Sequence, residues 1–293
     1  MAKASSTLRA GESVEIKLLR EADLPAALHL EEQEEWNQTE DDWKRILRLN
    51  PNGCFAAFCA GELIGTVTTI TYGEDLAWVG MMLVAQEYRG RGIGKQLMRT
   101  ALNYCQRSRI ATVKLDATRA GRPLYESLGF VPESEVERWQ GAGLSETQRT
   151  PRSFWNDELR LALYELDDQA FDASRRELLS SLLQDCCVEP ALRTDDSTRS
   201  LLGYALARRG GRASYVGPIV AVEQGLAISL LDSLLGRLAG KVFLDIRIGG
   251  ADIAGALVER GFAKQRGLTQ MSLGRQKRGA SDLVFAIAGP ELG

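Results

Sequence analysis

The chain has a single histidine, and its five cysteines, Cys54, Cys59, Cys105, Cys186 and Cys187, form no C-x-x-C pair. A zinc or other transition-metal centre would have almost no ligands to draw on, so no metal is expected. Cysteines without paired spacing also argue against a disulfide scaffold, and a reducing, cytoplasmic location is expected. Long apolar runs are missing too. The most apolar stretch, 225–238, is broken by Asp232 and Arg237, and the opening MAKASSTLRAGES has no apolar signal core, so no membrane association is expected. A net charge of only −3 gives no global reason to bind nucleic acid or anionic lipid, and neither partner is expected. What remains is the composition of an ordinary globular protein, 44% apolar and 26% charged, at a length of 293 residues that suits two domains. His29, between Leu28 and Leu30 in a predicted helix, is expected to pack or face solvent.

The informative stretch is 81–105, MMLVAQEYRGRGIGKQLMRTALNYC. It reads as an apolar strand, a turn holding Gly90, Gly92 and Gly94, and a helix whose Leu97, Met98, Ala101, Leu102 and Cys105 keep helical spacing. The first N–H groups of a helix lack internal partners and carry the positive end of its dipole, and glycines let the backbone close on an anion. Arg89, Arg91 and Lys95 add charge there. Spacing excludes a Walker loop, since only three residues separate Gly90 from Gly94 and Gln96 follows Lys95. A dinucleotide fingerprint fails because its third glycine would fall at Lys95.

Around this stretch the chain alternates as strands at 14–19, 54–59, 63–71 and 76–84, the last three joined by turns short enough to require an antiparallel meander. Asp23 and Pro25 open a helix carrying Leu24 and Leu28, and Thr39 is placed to cap a helix with Trp43, Ile46 and Leu47 on one face. The helix after the glycine turn is the crossover to a parallel strand at 111–117.

Arg89, Gly92 and Gly94 fill R-x-x-G-x-G, and in this strand–turn–helix setting the pattern resembles the acyl-CoA pyrophosphate loop of the GCN5-related N-acetyltransferase (GNAT) superfamily. The LY-x-x-LGF ending, with Leu124, Tyr125, Leu128 and Phe130, resembles the short helix that closes the family's core. The resemblance implies an α/β fold of the α+β type, a mixed and mostly antiparallel sheet flanked by helices. It implies acetyl-CoA as cosubstrate, its pyrophosphate held by Arg89, Gly90, Arg91, Gly92, Ile93, Gly94 and Lys95 and its pantetheine amides by Met82, Leu83 and Val84. Tyr125 is implied as the acid that protonates the departing sulfur, and Trp36, Asn37 and Gln38 as contacts to the acceptor. No residue stands out as a base; Glu74 and Asp75 are available. The family often has an asparagine shortly before this helix, where this chain has Thr118, Arg119 and Arg122.

The second half repeats the first. Leu202 and Gly203 echo Ile64 and Gly65; Tyr215 to Gly217 echo Trp78 to Gly80; Val242 to Asp245 echo Val113 to Asp116; Gly261 and Phe262 echo Gly129 and Phe130. Where the first copy has EYRGRGIGK the second has AVEQGLAIS, and Leu257 stands in the place of Tyr125. The expected layout is an N-terminal tail at 1–13, an acyl-CoA-binding GNAT domain at 14–142, a linker at 143–156, a degenerate GNAT-like domain at 157–275 and a C-terminal segment at 276–293. The activity implied is acetyl transfer to a primary amine, with a small-molecule amine as the expected partner. An acyl-CoA-binding sensor or scaffold without turnover, and a peptide or protein N-acetyltransferase, stay open as alternatives.

Overall fold

Residues 13–146, 157–171, 173–249, 252–275 and 281–293 are described by the computed structural model. They fall into two units, Met1–Val113 and Lys114–Gly293.

In the first unit β1 (Val14–Leu18) leads to α1 (Leu24–Glu32), where Pro25 sits in the first turn, the one helical place that does not need its missing N–H. His29 on α1 is exposed. α2 (Glu40–Leu49) starts as Thr39 dictates. The Thr39 hydroxyl accepts from Asp42 N–H while the Asp42 carboxylate accepts from Thr39 N–H. Trp43 and Ile46 on α2 are wholly buried. β2 (Phe55–Cys59), β3 (Glu62–Tyr72) and β4 (Leu76–Val84) form the expected antiparallel meander, with β1 added to the edge of β2. α3 (Ile93–Arg107) lays Leu97, Met98, Ala101 and Cys105 onto this sheet. Gly65 permits that approach, because a Cβ there would stand 2.8 Å from Leu83 O and 3.1 Å from the Leu97 side chain. β5 (Thr112–Thr118) starts beside the start of β4, with Thr112 N–H donating to Asp75 O at 2.8 Å, as a parallel crossover requires.

The second unit takes in the rest of β5, α4 (Arg122–Glu126) and β6 (Val131–Ala142). It continues with α5 (Asp157–Phe171), α6 (Arg176–Gln184), β7 (Ala191–Thr194), β8 (Leu201–Arg208), β9 (Ser214–Ala221), α7 (Gln224–Leu235) and β10 (Lys241–Ile248). α8 (Ala254–Glu259), β11 (Ala263–Gly274) and β12 (Val284–Ala286) complete it. Strands β7, β8 and β9 repeat the meander, and α7 repeats the crossover to β10. Gly203 does for Leu230 what Gly65 does for Leu97, a Cβ at Gly203 falling 3.0 Å from both Leu230 and Val220 O.

Two features of the strand pairing were not expected from sequence. β6, the strand that ends the first repeat, lies between β10 and β11 of the second and is antiparallel to both. With β6 paired there, the division into compact units falls between Val113 and Lys114. Gly143, Leu144 and Ser145, expected to open a linker, donate their N–H groups to Gly240, Leu235 and Leu238 at the end of α7. The remainder of that linker from residue 147, residues 1–12 of the tail and residues 276–280 of the C-terminal segment lie outside the described residues. The second feature is β12. β9 and β10 pair in parallel only at Ser214 with Val242 and Tyr215 with Phe243, and β12 then enters between them, pairing antiparallel with both. Arg208 and Arg175 hold the segment beyond it by bonds to Ala288 O and Gly293 O, both at 2.7 Å. Among the described residues no helix is long and apolar enough to cross a membrane.

Candidate functional site

β4 is irregular where the site begins. Thr66 pairs with Leu83 and Thr68 with Gly80, so β4 carries one residue more than β3 between these pairs, and Met81 takes a left-handed φ of 46°. The Thr66 hydroxyl donates to Met81 O at 2.7 Å and fixes the bulge. Beyond it the strand alternates. Met81 and Leu83 are buried, while Gly80, Met82 and Val84 are half-buried on the other face. Of the three residues expected to meet pantetheine, Met82 and Val84 thus share the open face; the Leu83 side chain points into a cluster with Leu30 and Ala85.

The turn after β4 presents an anion cradle. Gly90 and Gly92 have φ of 77° and 81°, which disfavour any other residue, and a Cβ at Gly92 would meet nothing within 4 Å. The first helical bond of α3 is Gln96 N–H to Gly92 O, so the N–H groups of Ile93, Gly94 and Lys95 are the helix's unpaired N-terminal donors. The first turn of α3 holds no acidic residue. Open space, left-handed glycines, free N–H groups and the charges of Arg91 and Lys95 together fit a diphosphate. Arg91 stands over the Tyr88 ring at 5.1 Å. Arg89 is engaged otherwise: its Nε–H donates to Val84 O at 2.8 Å and its Nη2 pairs with Glu34 at 2.5 Å. It braces the turn against the end of β4.

Glu34 belongs to the segment after α1 that also carries Trp36, Asn37 and Gln38. Trp36 is half-buried and packs on the Leu30, Leu83 and Ala85 cluster, beside Leu63 and Tyr88. Asn37 is buried and donates its N–H to Gln38 Oε1, and Gln38 is half-buried. The expected acceptor wall and the phosphate turn are therefore joined within one unit by an ion pair and an apolar cluster. Glu74 and Asp75 are not near this place. They are exposed on the turn before β4, at the far end of a strand whose nine residues span about 27 Å from Val84.

Tyr125 lies on α4 in the second unit. Its ring meets Phe130 edge to face at 6.0 Å, and a Cβ on Gly121 would come within 3.1 Å of it. The hydroxyl has no hydrogen-bond partner among the described residues. Burial pushes its pKa up to about 12, so at neutral pH it is a donor.

The corresponding places in the second copy are closed. Glu223 stands at the N-terminus of α7, where its charge opposes an anion, and Leu257 is fully buried in the place of Tyr125. β12 enters between β9 and β10 and closes the space where those two strands part. Sequence reasoning found the first two losses and missed the third, although the apolar run Val284 to Ala288 after a polar stretch was its signal.

Residues 16–130 match the model of the family described as "Acetyltransferase (GNAT) family", and residues 163–286 that described as "Acetyltransferase (GNAT) domain". An uncharacterized N-acetyltransferase, YitH, of Bacillus subtilis is 25% identical over 70% of this chain and 72% of its own. A holothin acyltransferase of a Pseudoalteromonas species is 23% identical over 89% of this chain and 88% of its own. The crystal structure of a putative acetyltransferase from Pyrococcus horikoshii shares the fold over 100% of this chain and 99% of that one, at 20% identity and a TM-score of 0.80.

Proposed function

Because the chain is an acyltransferase of the GNAT family, built as two GNAT domains in tandem, we propose that it moves an acetyl group from acetyl-CoA to the primary amine of a small molecule. The observation that carries this reading is the turn in which Gly90 and Gly92, both left-handed, precede the unpaired N–H groups of Ile93, Gly94 and Lys95. A small acceptor is supported by the holothin acyltransferase, which aligns over nearly its whole length. Free and buried cysteines agree with a reducing cytoplasm.

When bound, acetyl-CoA supplies a thioester with an electrophilic carbonyl carbon and a thiolate leaving group. The N–H groups of residues 93–95 and the charges of Arg91 and Lys95 hold its diphosphate, while Arg89 keeps the turn in register with β4. The open face of β4 at Met82 and Val84 aligns the pantetheine arm, and an N–H at this end of the strand takes the charge that develops on the carbonyl oxygen. Trp36, Asn37 and Gln38 contact the acceptor. As the carbon–nitrogen bond forms and the carbon–sulfur bond breaks, Tyr125 gives its phenolic proton to sulfur and regains one from the nitrogen. The catalytic work belongs to 14–142; 157–275 is a degenerate partner without an acyl-CoA site of its own.

Thiol release with a panel of alkylamines tests this reading. Tyr125→Phe should lower kcat by about a hundredfold, within the range of a lost general acid, and leave acetyl-CoA affinity within about threefold. Tight acetyl-CoA binding with no thiol release on any amine would instead establish the sensor reading.

A further inference from the structure

β1 is a strand with a free edge. It pairs with β2 alone, and among the described residues no strand or loop takes the backbone groups on its other side. Alternation along an antiparallel ladder tells which groups those are. Leu19 N–H donates to Cys54 O at 2.9 Å, and the same register sets Lys17 opposite Ala56 and Glu15 opposite Phe58. Glu15, Lys17 and Leu19 therefore turn their N–H and C=O groups towards β2. Val14, Ile16 and Leu18 turn theirs outward.

Side chains divide with the same period. Val14, Ile16 and Leu18 share one face, where Val14 and Ile16 are half-buried and Leu18 is 40% exposed. Glu15 and Lys17 are exposed on the other face and pair at 2.8 Å, with Lys17 Nζ 5.9 Å from the centre of the Phe58 ring. Beside the strand lies an open groove of about 930 Å³ whose walls include Glu15, Lys17, Leu18, Arg20 and Phe58.

A free edge is a template for another strand, and charges on it usually keep other strands away. Here they favour one partner. The sequence Val14-Glu15-Ile16-Lys17-Leu18 reads apolar, acidic, apolar, basic, apolar about its centre. A second copy laid antiparallel, Ile16 opposite Ile16, sets Glu15 of each strand against Lys17 of the other and Val14 against Leu18. Every outward N–H then meets an outward C=O, and the charged pairs fall at the non-hydrogen-bonded positions, where side chains lie closest. Registers that pair outward residues differ by steps of two. One step either way opposes Glu15 to Glu15 or Lys17 to Lys17, so a single register is favoured.

We propose that the outer edge of β1 binds a second copy of this chain by antiparallel β1–β1 pairing centred on Ile16. The contact is isologous and closes at two copies. Backbone bonds supply the attraction, and the charges supply the register. A five-residue strand makes a small contact, so a reversible dimer with a Kd of about 10 to 100 µM is expected rather than a permanent one. The inference stands apart from the acyl-transfer reading, since β1 carries none of the residues assigned to that chemistry.

Sedimentation velocity at concentrations from about 2 to about 200 µM, spanning that Kd, tests it. The parent should pass from monomer to dimer across the range. Glu15→Lys and Lys17→Glu each oppose like charges and should weaken self-association at least about tenfold. An equimolar mixture of the two should restore it, because one copy is then basic at both positions and the other acidic at both. Ile16→Pro removes an outward N–H without touching the bonds to β2 and should abolish the dimer. Melts of the two charge variants within about 3 °C of the parent show that the fold is intact. A parent that stays monomeric at all these concentrations overturns the proposal, even if a foreign extended peptide binds the edge. So does a dimer that either charge variant forms as strongly as the parent, or a mixture no more associated than its components.

Discussion

Gly92→Glu should weaken acetyl-CoA binding at least about a hundredfold and leave the protein folded. Gly92 caps α3 at φ 81°, and a side chain there costs about 1 to 2 kcal/mol of backbone strain. No neighbouring atom lies within 4 Å to clash with it. A carboxylate at a helix N-terminus is itself favourable to the helix, which offsets part of the strain. The damage falls on the ligand, whose diphosphate would meet like charge where it needs N–H groups. Gly92→Ala separates the two causes, since it imposes the dihedral without the charge and should lose much less affinity. Calorimetric titration of both variants, with circular dichroism to follow folding, decides the matter.

Asp245→Asn should destabilise the protein by about 3 to 5 kcal/mol, enough to lower Tm by about 10 °C. The Arg138 guanidinium would remain buried, 4% exposed, with its charge uncompensated. The Tyr215 hydroxyl would lose its charged acceptor, keeping Ile287 O at 3.2 Å. Thermal melts of Asp245→Asn beside the parent at pH 7 measure the loss.

The elements that repeat a short-range pattern were legible in the sequence. The boundaries of β4 agree with the expected strand at 76–84, and Thr39 caps α2 because a hydroxyl followed by Asp42 is a local instruction. The phosphate turn was legible for the same reason, since left-handed glycines before an amphipathic helix announce themselves. Side-chain engagement was not. Arg89 reads as a phosphate ligand from its place in the motif, yet it folds back on Val84 O and reaches Glu34, fifty-five residues away. Strand partners were equally hidden. β6 carries no mark saying that β10 and β11 rather than its own repeat will flank it, because any edge offers the same N–H and C=O groups. Asp245 is held by Arg138, which stands opposite it on β6, and that pairing needs the register.

The claim on which the rest depends is that the chain has one acyl-CoA site, in its first copy. Calorimetric titration of the intact protein with acetyl-CoA tests it most directly. One site per chain is expected, saturable and lost in Gly92→Glu. A stoichiometry of two, or binding in Gly92→Glu equal to that of the parent, would contradict it.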